Sequence, residues 1–140
     1  MQSMNRRSAL AFSVSAAAAA PLFALTSSAR AKEYGPTEGK EIAPGVRMIV
    51  AGEGNSDISA YKNVTIAHIV FQPGAVFPET PMDDDMVCYI ATGEFKIKKA
   101  DKEFALKEGE FYTCSKGKTD GATNTSSVVG LMEAAILNAA

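Results

Sequence analysis

Four side chains of this sequence have the chemistry for proton transfer, namely His68, Tyr89, Tyr112 and Asp120. An imidazole or a phenol beside a carboxylate can donate and accept protons in an interior that holds little water. His68 is the only histidine of the chain, and it lies in the apolar run TIAHIVF, where a lone histidine is usually a hydrogen-bonded lining residue. Asp120, Tyr112 and His68 are therefore the candidate catalytic residues, provided that the fold brings them together.

A second group is acidic, with Asp83, Asp84 and Asp85 in a row and Glu79 nearby. Carboxylate oxygens bind hard cations such as Ca²⁺, and a negative loop can steer a positively charged substrate. A run of charges is also the usual composition of a solvated loop. Both interpretations are compatible with the sequence.

Sulfur-containing side chains form a third group, with Met82, Met86 and Cys88 close together and Cys114 and Met132 further along. Side chains two residues apart on a strand share a face, so Met86 and Cys88 would point the same way. Thioethers and thiolates are ligands that suit Cu(I). Methionine and cysteine are also ordinary packing residues of a core.

The elements that must position these groups are strands. Short runs of β-branched and aromatic residues alternate with Gly, Pro, Asn and Asp, a pattern typical of β-structure. The segment Gly52–Lys62 is expected to be a loop, and the last strand could end in a helical turn. Many short, regularly spaced strands favour a sandwich or a closed barrel. The predicted strands are Val46–Val50, Val64–Phe71, Met86–Ala91, Glu94–Lys98, Glu103–Leu106, Glu110–Ser115 and Val128–Leu137.

The strand that ends at Gly93 has a clear alternation. Its register predicts that Met86, Cys88 and Ile90 point into the interior, while the residues between them face outward. A shift by one residue would reverse this assignment completely.

Residues 1–31 have the layout of an export signal. Arg6 and Arg7 precede an uncharged, alanine-rich run, and Ala29-Arg30-Ala31 provides a small-x-small cleavage site. Paired arginines before a weakly hydrophobic segment are typical of the twin-arginine route, which exports folded proteins. An uncleaved membrane anchor is the alternative interpretation. We expect a bacterial protein that is periplasmic or secreted, and soluble after removal of the signal.

The remaining chain, residues 32–140, has a formal charge of −5, because it holds 11 of the 14 basic residues and all 16 acidic ones. Lys96, Lys98 and Lys99 follow an ordinary strand pattern rather than forming a basic patch, so nucleic acid is not an expected partner. Two cysteines allow one disulfide at most. We expect Cys88 and Cys114 to be free, buried thiols, because a bridge would take up interior space.

Two glycine-framed segments, Gly74–Gly93 and Gly109–Asn124, resemble the two motifs of the cupin superfamily. The first motif consists of a glycine, five residues, His-x-His, a short gap, a glutamate, six residues and a glycine. The second consists of a glycine, five residues, Pro-x-Gly, two residues, a histidine, three residues and an asparagine. Both glycine frames and the asparagine keep their spacing here, and the resemblance covers residues 42–137.

This resemblance implies an all-β fold: a single jelly-roll cupin barrel over residues 42–137, after the export signal and an arm over residues 32–41. In cupins, three imidazoles and a carboxylate hold a divalent transition metal. Those positions fall here on Thr80, Met82, Met86 and Asp120, which form a poor ligand set. We therefore predict no metal and no cofactor. The chain is similar to the branch of cupins whose metal residues are replaced.

The function predicted from the sequence is small-molecule binding in the barrel cavity, with a homodimer also compatible with the chain. The cavity mouth is expected between the loops Thr80–Asp85 and Ser115–Gly121. The alternatives are a lyase, isomerase or hydrolase that uses acid–base side chains or a non-standard metal site, and a structural or accessory scaffold with a filled barrel. The predicted ligand-binding residues are Glu79, Met82, Met86, Cys88, Ile90, Tyr112 and Asp120.

Overall fold

The computed structural model describes residues 33–140, and the predicted export signal lies outside this range. Within it, no helix is long and apolar enough to cross a membrane. The regular elements are strands throughout: β1 Lys40–Ala43, β2 Val46–Asn55, β3 Tyr61–Phe71, β4 Val76–Pro81, β5 Asp85–Thr92, β6 Glu94–Lys99, β7 Lys102–Lys107, β8 Phe111–Cys114, β9 Thr119–Asn124 and β10 Gly130–Ala139.

The strands form two antiparallel sheets. One has six strands in the order β1-β2-β3-β10-β5-β8, and the other has four in the order β4-β9-β6-β7. The sheets share one core, in which the rings of Phe71 on β3 and Phe95 on β6 meet edge to face with centroids 5.0 Å apart. Two sheets that bury facing apolar sides form a β-sandwich. The all-β prediction is therefore confirmed.

Strand β5 has the register that its alternation predicts. Cys88 and Ile90 are 1% and 0% exposed, whereas Val87 and Tyr89 are 37% and 43% exposed. Met86 packs partly buried against the same core. The prediction that Met86, Cys88 and Ile90 face the interior is confirmed.

The predicted loop Gly52–Lys62 is wrong for most of its length. Strand β2 continues to Asn55 and β3 begins at Tyr61, because the ladder between them extends to the pair Asn55 and Asn63. Strand β10 stays extended to Ala139 without a helical turn, since it pairs with β3 along its length. The first and last strands also run slightly beyond the expected limits of residues 42 and 137.

The outer glycines of the first motif keep their spacing for a conformational reason. Gly74 and Gly93 have φ angles of 76° and 92°, a region that other residues adopt only with strain. A Cβ at Gly93 would also lie 3.2 Å from the Cα of Gly130, where β5 approaches β10. This part of the motif is required by the backbone rather than by any chemistry.

Asn124, the last residue of the second motif, also has a structural role. It is fully buried, and its Nδ2 donates towards the carbonyl oxygens of Phe71, Gln72 and Val128 at 3.1, 3.3 and 2.8 Å. Its Oδ1 accepts a hydrogen bond from the Ser126 hydroxyl at 2.6 Å. A buried amide with both ends paired holds chain segments together and leaves nothing for a ligand.

Candidate functional site

Asp120 lies on a strand, which corrects its expected position in a mouth loop. Strand β9 begins at Thr119, and Asp120 pairs with Thr80 on β4. Because side chains alternate along a strand, Asp120 shares the inward face of β9 with Ala122 and Asn124, and all three are buried. The carboxylate is thus held by a sheet and faces the interior.

Tyr112 and Asp120 meet inside the sandwich, as their assignment to one site requires. The Tyr112 hydroxyl donates to Asp120 Oδ2 at 2.9 Å, and the two residues are 7% and 5% exposed. The same hydroxyl oxygen lies 4.0 Å from the sulfur of Met132 on β10. The ring of Phe104 packs edge-on against Tyr112, with centroids 6.1 Å apart. These contacts fix the phenol and, through it, one oxygen of the carboxylate.

The other carboxylate oxygen, Asp120 Oδ1, is buried and has no hydrogen-bond partner within the described part of the chain. Buried polar atoms are nearly always paired, so each exception calls for a physical explanation. Leaving a buried acceptor unpaired costs roughly 1–3 kcal/mol. A hydroxyl or amine group that donated a hydrogen bond to Oδ1 would remove this cost.

Burial also shifts the titration of this cluster. It raises the pKa of the Asp120 carboxyl, and the Tyr112 hydrogen bond, the charge of Lys99 and the backbone amide of Gly121 lower that pKa in part. Burial raises the pKa of the Cys88 thiol to about 12. It also raises the pKa of the Tyr112 phenol, with Cys88 and Asp120 acting in the same direction. Cys88 and Tyr112 are therefore neutral at physiological pH, and Cys88 is not an activated nucleophile.

The sulfur-containing residues line the inward face next to Asp120. Cys88 is opposite Tyr112 in the ladder between β5 and β8, and Met86 is opposite Cys114. Both cysteines are free and buried. Among residues 33–140, no group of three or more His, Cys, Asp or Glu side chains is arranged to hold a metal ion. Cys88, Met86 and Ile90 thus provide an apolar wall beside the carboxylate.

The structure does not bring His68 into this site. Ala67 and Phe71 of β3 are buried in the interior, and His68 lies on the other face of the strand, opposite Glu133 of β10. Its Nδ1 is hydrogen-bonded to the hydroxyl of Tyr34, and the two rings lie edge to face with centroids 5.6 Å apart. The predicted partnership of His68 with Tyr112 and Asp120 therefore does not form.

Tyr89 also lies outside the site. It is opposite Glu133 in the ladder between β5 and β10, on the same outer face as His68. The acid–base group of the sequence thus divides into an inner pair, Tyr112 and Asp120, and an outer pair, His68 and Tyr89.

Lys99 is a residue of the site that the sequence analysis does not single out. It follows Phe95 and Ile97 at a spacing of two, and both of those side chains are fully buried on the inward face of β6. The Lys99 ammonium donates to the carbonyl oxygen of Thr113 and lies 5.9 Å from the centroid of the Tyr112 ring. The alternation that starts at Phe95 places Lys99 on the inward face, although the neighbouring Lys96 and Lys98 make the segment resemble an exposed strand.

Backbone hydrogen bonds join the two loops at the expected mouth. The amide of Met82 donates to the carbonyl of Lys118 at 2.9 Å, and the amide of Gly117 donates to the carbonyl of Met82 at 2.8 Å. Met82 is half-buried, and Glu79 and Thr80 are exposed on β4. The negative charge of Glu79 raises the pKa of Asp120 slightly, as the smallest of its causes.

Asp85 strengthens the same junction with its side chain. Its Oδ1 accepts from the backbone amide of Lys116 and its Oδ2 from the hydroxyl of Tyr61, both at 2.8 Å. Within residues 33–140 the ion pair that forms is Lys96–Glu103, on the exposed outer side of β6 and β7. The facing charges of the two loops therefore make no ion pair, and Asp85 acts as an acceptor for neutral donors.

No family model and no curated protein matches the sequence. Solved structures do match the fold. An RmlC-like cupin from Shewanella frigidimarina superposes with a TM-score of 0.57 at 17% identity, over 76% of this chain and 89% of that one. A cupin superfamily protein from Desulfitobacterium hafniense gives 0.54 at 19% identity, over 78% and 94%. The chain has the cupin fold.

A third match, a Cupin 2 conserved barrel domain protein from Salinispora arenicola, has a TM-score of 0.57 at 14% identity and covers 78% of this chain and 91% of that chain. Identities this low establish the fold alone. The chemistry of this chain must be argued from its own inward side chains, which are Lys99, Tyr112 and Asp120, together with Met86, Cys88 and Ile90 of β5 and Met132 of β10.

Proposed function

We propose that this cupin-fold protein binds a small molecule inside its barrel, against Asp120 and Tyr112. The observation that supports the proposal is the unpaired oxygen Asp120 Oδ1, on a side chain that is 5% exposed. A ligand hydroxyl or amine would donate to this oxygen and complete its hydrogen bonding. The apolar part of the ligand would lie against Met86, Ile90 and Met132.

The metal site that cupins commonly contain is absent from this proposal, because the residues at its positions do not fit a transition metal. The Thr80 side chain is exposed, and its hydroxyl donates to the carbonyl of Pro78 at 3.2 Å. Met82 and Met86 offer thioethers, which are weak ligands for Fe, Mn, Ni or Zn. Asp120 alone carries an anionic ligand atom, so no step of the proposed function passes through a metal.

A thermal-shift screen of a library of small polar molecules tests the binding proposal. We expect hits that raise the melting temperature of the wild-type protein and of Asp101→Asn, which changes an exposed aspartate in the turn between β6 and β7. The same compounds should have no effect on Asp120→Asn. Equal shifts in all three proteins, or no hit at all, would contradict the proposal.

An acid–base enzyme is a second candidate, supported by the Tyr112–Asp120 hydrogen bond and the raised pKa of Asp120. A carboxyl group that keeps its proton to higher pH is suited to act as a general acid. If the protein is an enzyme, incubation with a bound hit should convert the hit to product, and the rate should fall as pH rises through the pKa of Asp120. If none of the bound compounds is converted at any pH, the enzyme candidate is rejected and the binding function alone remains.

We also propose that the protein acts after export. The paired Arg6 and Arg7 before an alanine-rich run support the twin-arginine route. Cell fractionation should find the wild-type protein in the periplasm or medium and the Arg6→Lys, Arg7→Lys double variant in the cytoplasm. The same distribution for both proteins would contradict export by this route.

A further inference from the structure

Lys99 lies on the strand next to Asp120, and its ammonium is 5.9 Å from the centroid of the Tyr112 ring whose hydroxyl donates to Asp120. The ladder between β6 and β9 pairs Lys98 with Gly121, so Lys99 continues it at the level of Asp120. Side chains at neighbouring positions of paired strands have Cβ atoms about 5 Å apart. Lys99 shares the inward face of β6 with the buried Ile97 and is itself half-buried. The register thus places Lys99 and Asp120 on opposite positions of two paired strands, with both residues on the inward faces.

These two charged groups do not satisfy each other. The ammonium of Lys99 donates to the carbonyl of Thr113 across the gap between the sheets, which uses one of its three N–H groups. Within the described residues, no carboxylate lies in ion-pair distance of Lys99, and Asp120 Oδ1 accepts no hydrogen bond. The charge of Lys99 nevertheless lowers the pKa values of Asp120 and Cys88, so its field reaches the site.

We propose that the ligand is a small organic acid that carries a hydroxyl group, with its carboxylate at Lys99 and its hydroxyl donating to Asp120 Oδ1. This inference rests on the binding function proposed above and specifies its ligand class. A carboxylate would supply a counter-charge to the Lys99 ammonium, whose one printed partner is the neutral carbonyl of Thr113, and a hydroxyl would supply the donor that Oδ1 lacks. The apolar side chains of Ile90 on β5 and Met132 on β10 would contact a short hydrocarbon part.

Other ligand classes leave one of the two groups unpaired. A neutral alcohol would satisfy Asp120 but leave Lys99 without a counter-charge. An amine would satisfy Asp120 and be repelled by Lys99. A simple acid without a hydroxyl would pair with Lys99 and bring a second negative charge next to an unpaired acceptor, which is unfavourable in a buried site.

The test compares matched probes on the full-length protein by isothermal titration calorimetry. The probes are lactate, 3-hydroxybutyrate and mandelate, each alongside its neutral amide and its analogue without the hydroxyl. The variants are Lys99→Gln, Lys99→Arg and the control Lys98→Gln, which removes an exposed lysine from the other face of β6. Unfolding curves of each variant establish that it is folded under the conditions of the titration.

We expect at least one hydroxy acid to bind more tightly than its amide and its dehydroxy analogue. Lys99→Gln should weaken that acid roughly tenfold or more and leave its amide unchanged, since a hydrogen bond to a charged group is lost. Lys99→Arg should restore much of the affinity, and Lys98→Gln should have no effect.

The inference is overturned, and the binding function retained, if neutral hydroxyl compounds bind in an Asp120-dependent manner while acids show no preference for an intact Lys99. If neither acids nor neutral compounds bind, both proposals are wrong. If Lys99→Gln and Lys98→Gln weaken the binding of a hydroxy acid equally, its affinity depends only on the overall surface charge. That outcome also overturns the inference.

Discussion

Asp85 and Asp120 are both hydrogen-bonded to a tyrosine, yet they differ in their remaining hydrogen-bond partners and in the direction of their pKa shifts. The two oxygens of Asp85 accept from the Tyr61 hydroxyl and from the amide of Lys116. Asp120 accepts from Tyr112 through one oxygen, and its other oxygen has no partner within residues 33–140. The hydrogen bonds of Asp85 lower its pKa, while burial raises the pKa of Asp120.

This difference separates a carboxylate whose two oxygens are both paired from one with an oxygen left unpaired. Asp85 joins the beginning of β3 to the loop after β8, and no acceptor of its side chain is left over. Asp120 is more deeply buried and has fewer partners, an arrangement that lowers stability unless a ligand supplies the missing donor. The second motif of this cupin fold therefore contains a buried carboxylate oxygen without a hydrogen-bond partner among residues 33–140.

The largest expected effect comes from placing a second carboxylate beside Asp120. Cys88→Asp puts a charge at a fully buried position next to the Tyr112–Asp120 pair, and should lower the free energy of unfolding by about 3 kcal/mol or more. Val87→Asp on the outer face of the same strand should change it by less than about 1 kcal/mol. Urea denaturation measures both, and similar losses would contradict the assigned faces of β5.

Removing each tyrosine hydroxyl should show which carboxylate depends on it more. Tyr112→Phe removes the hydroxyl that donates to the buried Asp120 Oδ2, and should cost roughly 1–3 kcal/mol in urea denaturation. Tyr61→Phe should cost less, because Asp85 keeps the Lys116 amide and has access to water. A larger loss for Tyr61→Phe would reverse the comparison.

The dependence of stability on pH should change in opposite directions in Asp120→Asn and Asp85→Asn. The raised pKa of Asp120 favours the protonated folded state, so stability from this group is present below its ordinary pKa and is lost as pH rises through the folded value. The lowered pKa of Asp85 contributes stability above its ordinary pKa that is lost as pH falls through the folded value.

Relative to the wild type, Asp120→Asn should therefore become progressively more stable from acid to neutral pH, and Asp85→Asn progressively less stable. Unfolding free energies at a series of pH values between acid and neutrality measure both trends. Parallel trends in the two variants would show that the two carboxylates have similar environments.

The smallest effect is expected at the positions of the first motif. Thr80 is exposed and Met82 bonds through its backbone, so Thr80→Val and Met82→Leu should each alter stability by no more than about 0.5 kcal/mol. Neither change should affect the binding of a ligand that depends on Asp120. A loss of binding in Thr80→Val, confirmed by calorimetry on a folded protein, would move the site towards the first motif.

Residue alternation and glycine spacing in the sequence predict the inward face of β5 and the glycine positions of the motifs. The alternation of β5 follows from its buried Cys88 and Ile90, and the motif spacing follows from backbone angles that favour Gly74 and Gly93. Strand β9 is not predicted, because its inward residues include Asp120 and Asn124 rather than a row of apolar side chains. Its identity as a strand depends on pairing with β4 and β6, which lie far away in the sequence.

The candidate site is predictable in part for the same reason. Asp120 follows from its position in the second motif and Tyr112 from its acid–base chemistry, and the structure brings them together. The structure places His68 on the outer face of β3, away from Tyr112 and Asp120, and strand parity indicates this face because His68 and the core residue Phe71 are three positions apart. Lys99 and the unpaired oxygen of Asp120 depend on contacts between the sheets, which no single segment of sequence encodes.

The most direct test is an NMR titration of the side-chain carboxyl carbons of Asp120 and Asp85 in the free protein. We predict that Asp120 titrates above the ordinary aspartate pKa and Asp85 below it, because burial dominates at Asp120 and hydrogen bonds dominate at Asp85. Addition of a bound hydroxyl compound should shift the Asp120 signal and leave that of Asp85 in place. An Asp120 that titrates at or below the ordinary value would contradict the account, since its second oxygen would then already be paired or solvated.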